Sequence, residues 1–254
     1  MQEEKGISKK PRRRIQMTTS KAYSETLTVG DKLWGQTTLE GNRGELIKKT
    51  YLLLGLSVIS SLVGGVIGAN SPTLVHLFSG WLGWILALVL LNGIPQIALS
   101  VRDNPVLGLA ALVADGFVSG LVLAPILQLA SVVAPDLVPT ALILTAVVFV
   151  GVAGYVMTVR KTFSAPRGLM IGIFFSTIGV MILNTFLHLG ILGMLIAGAI
   201  GVFGVLILVH ATSEALHSPE ADSPIAGALM LFAGLFNVFV AALDILLRLE
   251  QSDE

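Results

Sequence analysis

The chain has 254 residues, of which 54% are hydrophobic and only 13% are charged, and its mean hydropathy is +0.84. Soluble domains carry about 25% charged residues, so this composition indicates a membrane protein. Sixteen basic residues balance sixteen acidic ones, and the resulting zero net charge predicts no nucleic acid or other polyanion as a partner. The sequence contains no cysteine, which excludes disulfides, thiolate metal sites and cysteine nucleophiles.

The first 49 residues differ from the rest of the chain in charge. Eleven of the sixteen Lys and Arg lie between Met1 and Lys49, and Lys9 to Arg14 form one basic run. Because residues 1–49 contain few large apolar side chains, they cannot bury enough surface to fold alone. We therefore expect a flexible basic cytoplasmic tail over residues 1–49, whose charges either set the membrane topology or rest on anionic lipid.

Seven apolar segments follow, each close to the roughly 20 residues that a helix needs to cross the hydrocarbon. They cover residues 50–69, 73–91, 105–127, 137–159, 169–187, 191–209 and 225–247. Proline and asparagine mark several joints between them, including Asn92 with Pro95. The sequence therefore predicts an all-α polytopic membrane protein, in which residues 50–249 form a single seven-helix transmembrane bundle and residues 250–254 a short polar C-terminal tail.

The basic residues outside the tail orient these segments. If the tail is cytoplasmic, the cytoplasmic connections contain Arg102, Arg160, Lys161 and Arg167, whereas the outer side holds Arg248. Basic residues are enriched in cytoplasmic loops, so we expect a cytoplasmic N-terminus and a C-terminus on the outer side.

Small residues recur at four-residue spacing within three of the segments. They are Gly64 and Gly68, then Gly116, Gly120 and Ala124, then Ala197 and Gly201. This spacing lets neighbouring helix backbones approach closely, and lipid provides no hydrophobic drive that would bring helices together otherwise. The pattern predicts a tightly packed bundle.

Five short motifs resemble those of the Bax inhibitor/YccA family of seven-helix membrane proteins, and more closely its bacterial YccA-like branch. They are KTYLLLGLS at residues 49–57, GLVLAPIL at 120–127, YVMTVRKTFS at 155–164, ATSEALH at 211–217 and LFNVFVAALDIL at 235–246. The resemblance extends from about residue 49 to residue 249, and the motifs occur in the family's order.

The resemblance implies a protein of a bacterial inner membrane or an organelle membrane, with one of two activities. One is modulation of a membrane-bound AAA protease such as FtsH, and the other is a pH-sensitive calcium leak. Leak-type members use two acidic residues, whose positions here are matched by Ala211 and Gly234. Because both acids are missing, the leak mechanism of the family does not carry over in its usual form.

Asp115 is a carboxylate about midway along the third segment. At that depth, translocon scales give an Asp an unfavourable insertion free energy of roughly 2.5–3.5 kcal/mol. Such a residue normally faces the bundle interior, and Ala111, Asp115 and Ser119 share one helical face. Asp115 either belongs to an ion or proton pathway, or is a neutral side chain hydrogen-bonded to a neighbouring helix, since burial disfavours the charged form. Asn184 in the fifth segment is a candidate partner.

Asn237, Asp244 and Arg248 form a polar stripe on the seventh segment, at intervals of seven and four residues. Asn237 and Asp244 extend the candidate pathway of Asp115 and Asn184. Alternatively, Asp244 and Arg248 pair at the outer interface, because long side chains near a helix end reach toward water.

His210, Glu214 and His217 form a second stripe at the cytoplasmic end of the sixth segment. Histidine changes charge near neutral pH, so this stripe is either a pH-sensing mouth or an ordinary polar helix end.

The sequence contains no HExxH, GxSxG or phosphate-loop pattern, and it predicts no enzyme, no cofactor and no metal site. We expect a regulatory interaction protein in a bacterial inner membrane, with the lipid bilayer and a membrane-bound AAA protease as partners. The alternative is a pH-sensitive leak for calcium, another cation or protons.

Overall fold

The computed structural model describes residues 44–159, Phe163, 190–217 and 223–252. The chain divides into two units, Met1–Glu45 and Leu46–Glu254, and all contacts described below lie within the second. Most of the predicted tail and the whole predicted segment over residues 169–187, with Asn184, lie outside the described residues.

The elements of the described part of the chain are α-helices. They are α1 (Gly44–Ala69), α2 (Pro72–Phe78), α3 (Gly80–Ser100), α4 (Pro105–Val122), α5 (Ala124–Val133), α6 (Leu137–Val159), α7 (Gly190–His217) and α8 (Pro224–Glu250). All except α2 and α5 are long and apolar enough to cross a membrane. The all-α membrane fold is therefore confirmed, with six crossings described and the remaining predicted one outside the described residues.

Local side-chain chemistry sets the start of two long helices. The Asn104 side chain accepts hydrogen bonds from the backbone N–H groups of Val106 and Leu107, both at 3.1 Å, and Pro105 follows as the first helical residue of α4. At α8, Ser223 caps the helix and Pro224 follows in the same way. The first N–H groups of a helix have no partner within the helix, so a capping oxygen followed by a proline stabilises each start.

The predicted second crossing, over residues 73–91, is wrong in its boundaries. The helical crossing is α3, which begins at Gly80 (φ 76°) and continues through Asn92 and Pro95 to Ser100. A membrane helix tolerates an internal proline, and the chain stays helical on both sides of Pro95. The turn instead falls before Gly80, whose positive φ is available to glycine without steric cost.

The predicted third crossing, over residues 105–127, is two helices rather than one. α4 ends at Val122, and α5 begins at Ala124 and continues to Val133. Pro125 has no N–H to donate to the carbonyl four residues earlier, and at the break the Leu123 N–H donates to the Gly120 carbonyl at 3.1 Å. The apolar run therefore changes from one helix to the next at Leu123.

The predicted close packing at small residues is confirmed between α1 and α4. A Cβ added at Gly116 would lie 2.5 Å from the Ser57 carbonyl oxygen, and one added at Gly120 would lie 2.6 Å from the Gly65 nitrogen. Ser60 Oγ also donates to the Val113 carbonyl across this contact at 2.8 Å. The two backbones thus touch along the glycine positions, where dispersion contacts are largest.

Helix α8 lies at the centre of the described bundle, because it contributes to all three apolar clusters of the core. Ile225 and Leu229 pack with Leu112 and Ala98 toward its first end, Leu231 and Phe232 belong to the middle cluster, and Leu243 and Leu247 belong to the third. α8 contacts α3, α4, α5, α6 and α7. The other helices are therefore held in place mainly through one central helix.

We expect Gly120→Val to destabilise the bundle, because the new side chain would overlap the backbone of α1. Overpacking costs typically about 1–3 kcal/mol. The free energy of unfolding, measured by circular dichroism in detergent, should fall by that order. Gly154→Val is the matched control, since a Cβ at Gly154 has nothing within 4 Å. Equal losses in both variants would contradict the close contact.

Candidate functional site

Asp115 lies in the interior of the bundle, with only 4% of its surface exposed. One turn earlier on α4, Leu112 packs in one cluster with Ala98 of α3 and Leu229 of α8. Residues three apart are neighbours on a helix, so Asp115 is directed toward the same side of α4. Ser119, one turn further on, is also 4% exposed, and together they make this part of α4 polar and buried.

Asp115 forms no hydrogen bond or ion pair with any other described residue. Ser57 of α1, whose backbone touches Gly116, is fully buried, and its hydroxyl also has no partner among the described residues. Buried polar groups without partners are costly, and a carboxyl and a hydroxyl can each donate and accept a proton. The interior beside the contact of α1 with α4 therefore contains a carboxyl and a hydroxyl that have no hydrogen-bond partner among the described residues.

The polar stripe of Asn237, Asp244 and Arg248 lies on α8, and its side chains bond within their own helix. Asn237 Nδ2 donates to the Ala233 carbonyl of its own helix at 2.8 Å. Arg248 Nε donates to Asp244 Oδ2 at 3.1 Å, one turn away. Within the described part of the chain no hydrogen bond or ion pair joins either residue to Asp115. The three described residues of the predicted pathway, Asp115, Asn237 and Asp244, are therefore not joined to one another by direct hydrogen bonds or ion pairs.

The predicted mouth lies on continuous helix, because α7 extends to His217 rather than ending near residue 209. His210 Nε2 lies 3.5 Å from Glu214 Oε2, and His210 Nδ1 lies 2.9 Å from the carbonyl oxygen of Phe163. Since a carbonyl only accepts hydrogen bonds, Nδ1 carries the proton in this contact. Nε2 then faces the carboxylate, and protonation of His210 turns that contact into an ion pair.

Helix α7 also binds the other backbone group of Phe163. The Phe163 N–H donates to Ser213 Oγ at 2.7 Å, and the Phe163 ring packs on Tyr155 with centroids 5.7 Å apart. Phe163, four residues beyond the end of α6, is thus bound to α7 through both of its backbone polar groups. Sequence reasoning missed Ser213, because its partner is 50 residues away and nothing in the local sequence indicates the contact.

A small cavity of about 70 Å³ lies beside this mouth, between α1, the start of α8 and α7. It is lined by Thr50, Arg102, Ala211, Glu214 and Ser223. A cavity of this size has room for a few water molecules, and an acidic side chain, Glu214, and a basic one, Arg102, both line it. Sequence reasoning assigned Arg102 only to topology and did not single out Thr50.

The two positions that the resemblance matched to acidic residues, Ala211 and Gly234, hold small apolar residues. Ala211 is 2% exposed within the core cluster that contains Leu208. A Cβ added at Gly234 would lie 2.8 Å from Leu208 Cγ and 3.0 Å from the Leu208 nitrogen. An acid at position 234 would therefore require α7 and α8 to separate. Among the described residues, no group of three or more His, Cys, Asp or Glu could hold a metal ion.

The chain is similar to known membrane proteins over nearly all of its helical region. The family described as "Inhibitor of apoptosis-promoting Bax1" matches residues 43–252. The "Modulator of FtsH protease YccA" of Escherichia coli K12 is 33% identical over 204 residues, which cover 80% of this chain and 89% of that protein. An uncharacterized protein of Neisseria meningitidis serogroup A is 29% identical over 217 residues, covering 84% of this chain and 94% of that protein. One of Campylobacter jejuni is 27% identical over 202 residues, with coverage of 79% and 87%.

Replacing Asp115 with leucine should stabilise the bundle, because it removes a buried polar group without a partner among the described residues. Such groups cost about 1–3 kcal/mol in protein mutational data, so the free energy of unfolding in detergent should rise by that order. Asp103→Leu is the control, since the Asp103 side chain is 93% exposed and surface changes are usually within about 0.5 kcal/mol. A loss of stability in Asp115→Leu would contradict this and indicate a partner such as Asn184.

Proposed function

Because this chain belongs to the Bax inhibitor family of integral membrane proteins, we propose that it binds a membrane-bound AAA protease of the FtsH type and modulates its activity. The observation that carries this proposal is its relative in Escherichia coli, named as a modulator of FtsH protease, which is 33% identical and matched over 89% of its length. A related sequence from another Escherichia coli strain is named an inner membrane protein. The proposed location is a bacterial inner membrane, with residues 1–49 in the cytoplasm and the C-terminus outside.

The packing at the family's acidic positions supports a regulatory protein over a leak. With alanine at position 211 and glycine at position 234, the chain lacks the carboxylate pair through which leak-type members of the family respond to pH. A tightly packed bundle with a basic cytoplasmic segment can still bind a membrane partner, because helix association in lipid depends on packing and on interhelical hydrogen bonds.

Co-reconstitution with FtsH of Escherichia coli in lipid nanodiscs tests the proposal. We expect the full-length chain to be retained on immobilised FtsH and to change the rate at which FtsH degrades a membrane substrate. A chain lacking residues 1–43 separates the two contributions, because it keeps every described helix. Retention that survives the truncation assigns binding to the bundle. If neither form is retained and degradation is unchanged, the proposal is wrong.

The burial of Asp115 favours a second candidate function, a pH-sensitive leak of calcium, another cation or protons. Asp115 is 4% exposed within a membrane-spanning helix and forms no ion pair with any described residue. Intramembrane carboxylates commonly mark ion or proton pathways. In this function His210 and Glu214 would modulate entry at the cytoplasmic end.

Flux into liposomes between about pH 6 and pH 8 tests this second function, since that range spans the titration of histidine. If the chain is a leak, wild-type protein should pass protons or calcium above the level of empty vesicles, and Asp115→Asn should reduce the flux. Asp103→Asn is the exposed control. Equal flux in wild-type, Asp115→Asn and protein-free vesicles would exclude a leak through Asp115.

A further inference from the structure

The exposed face of α3 carries an amide group deep within the membrane. Asn92 is exposed on the surface of the bundle, although α3 is long and apolar enough to cross a membrane. At 1.5 Å per residue, Asn92 lies about 18 Å along the helix from Gly80 and about 12 Å from Ser100. Its short side chain therefore reaches neither membrane surface, and the hydrocarbon around it offers no hydrogen-bond partner.

Part of the hydrogen-bonding capacity of this amide is unused. A carboxamide has two N–H donors and one acceptor oxygen. Asn92 Nδ2 donates to the Leu88 carbonyl of its own helix at 2.7 Å, and no other hydrogen bond joins Asn92 to a described residue. One N–H and the oxygen therefore remain without a described partner, and polar groups left unpaired in an apolar environment are costly.

Asn92 belongs to an exposed seam on α3. Its members are Leu82, Ile85, Val89, Asn92 and Gln96, at intervals of three, four, three and four residues. The three apolar members are 64%, 44% and 62% exposed. The buried residues of α3, Gly83 and Ala98, lie on the opposite side of the helix. The seam is thus turned away from the bundle, and its spacing is the repeat of a helix that packs along a second helix.

A second copy of the chain provides the partner that this amide lacks. Two copies with the same topology in one membrane are related by a two-fold axis along the membrane normal, so their α3 helices are parallel. At that axis each seam residue faces the same residue of the other copy at the same depth. Each Asn92 can then donate its remaining N–H to the oxygen of the other and accept a hydrogen bond in return. An asparagine within an apolar seam also fixes the register of the two helices.

The surroundings of Asn92 allow a second helix to approach. A Cβ added at Gly93 has no atom within 4 Å, so the space beside the amide is open, and small residues let helix backbones come close in a membrane. Gln96, one turn further along the seam, is also exposed and forms no hydrogen bond with a described residue. The seam therefore offers a second amide to the same neighbour.

We infer that the seam of α3 is a self-association surface, through which two copies of the chain form a parallel dimer with Asn92 paired to Asn92. The occupant is a second copy rather than lipid, because acyl chains carry neither a donor nor an acceptor at this depth. This contact uses neither Asp115 nor the polar end of α7, and it does not require a protease partner.

Cysteine crosslinking tests the geometry, because the natural chain contains no cysteine. Val89→Cys places a thiol in the seam, and Val147→Cys places one on α6 at nearly the same exposure, 62% against 63%. Both positions lie near the middle of their helices. Under mild oxidation in the membranes of expressing cells, we expect a disulfide-linked dimer from Val89→Cys and monomer from Val147→Cys. Equal crosslinking of the two variants would contradict the assigned face.

Replacing Asn92 with leucine tests the amide. We expect the dissociation constant of the dimer, measured by sedimentation equilibrium in detergent, to rise by about tenfold, as loss of interhelical hydrogen bonds predicts. Asn70→Leu is the matched control. Asn70 is also exposed, and its Nδ2 also donates to the carbonyl four residues earlier, but it lies just beyond the end of α1. A monomeric wild-type chain at every concentration, or an Asn92→Leu dimer as tight as wild type, would overturn the inference.

A photo-crosslinking residue at Val89 of otherwise wild-type protein identifies the occupant without changing the amide. An adduct between two copies of the chain supports the dimer. An adduct with phospholipid alone, or with residues 164–189 of the same chain, shows that the seam has a different neighbour and rules the dimer out.

Discussion

Close backbone contact between helices is the constraint on which this structure depends. Lipid is as apolar as the side chains, so moving leucine or valine from lipid to a helix contact gives no hydrophobic free energy for association. Attraction has to come from many short contacts, and these require backbones that approach one another. Gly116 and Gly120 provide that approach between α1 and α4, and Gly201, whose added Cβ would lie 3.1 Å from Ala241, provides it between α7 and α8. Around these contacts the central helix α8 joins three apolar clusters into one bundle.

The same constraint decides where chemistry is available. At position 234 the contact between α7 and α8 is so close that no side chain fits against Leu208, so this position is used for packing. Polar groups occur elsewhere in the interior instead, at Asp115 and Ser57. The C-terminal part of α7 has its own polar contacts, in which His210 and Ser213 bind the backbone of Phe163. Asp115 and Ser57 lie beside the close contact of Gly116 with α1, so buried polar side chains and close packing occur together there.

The sequence predicted the fold class and the packing contacts well, because both follow from composition and from short-range spacing. Its errors were in helix boundaries, and they occurred near prolines, which do not all end a helix. Pro95 lies within α3 without ending it, whereas Pro125 lies just after the break between α4 and α5. Whether a helix continues through a proline depends on neighbouring groups that can bind the carbonyl left without a donor. The helix preference of a single residue gives no information about those neighbours. The sequence identified individual candidate residues of the site but not the contacts between side chains. Contacts such as that of Phe163 with Ser213 join distant parts of the chain, and local spacing does not indicate them.

The guanidinium group of Arg248 lies against Gly193 of α7, with its Cζ 2.6 Å from the place where a Cβ would be. Arg248 is also held by Asp244 on its own helix. A side chain at position 193 would push aside this guanidinium group, which is the far end of a flexible chain and can turn away at little cost. Glycine at position 193 therefore allows one arginine to contact both α7 and α8.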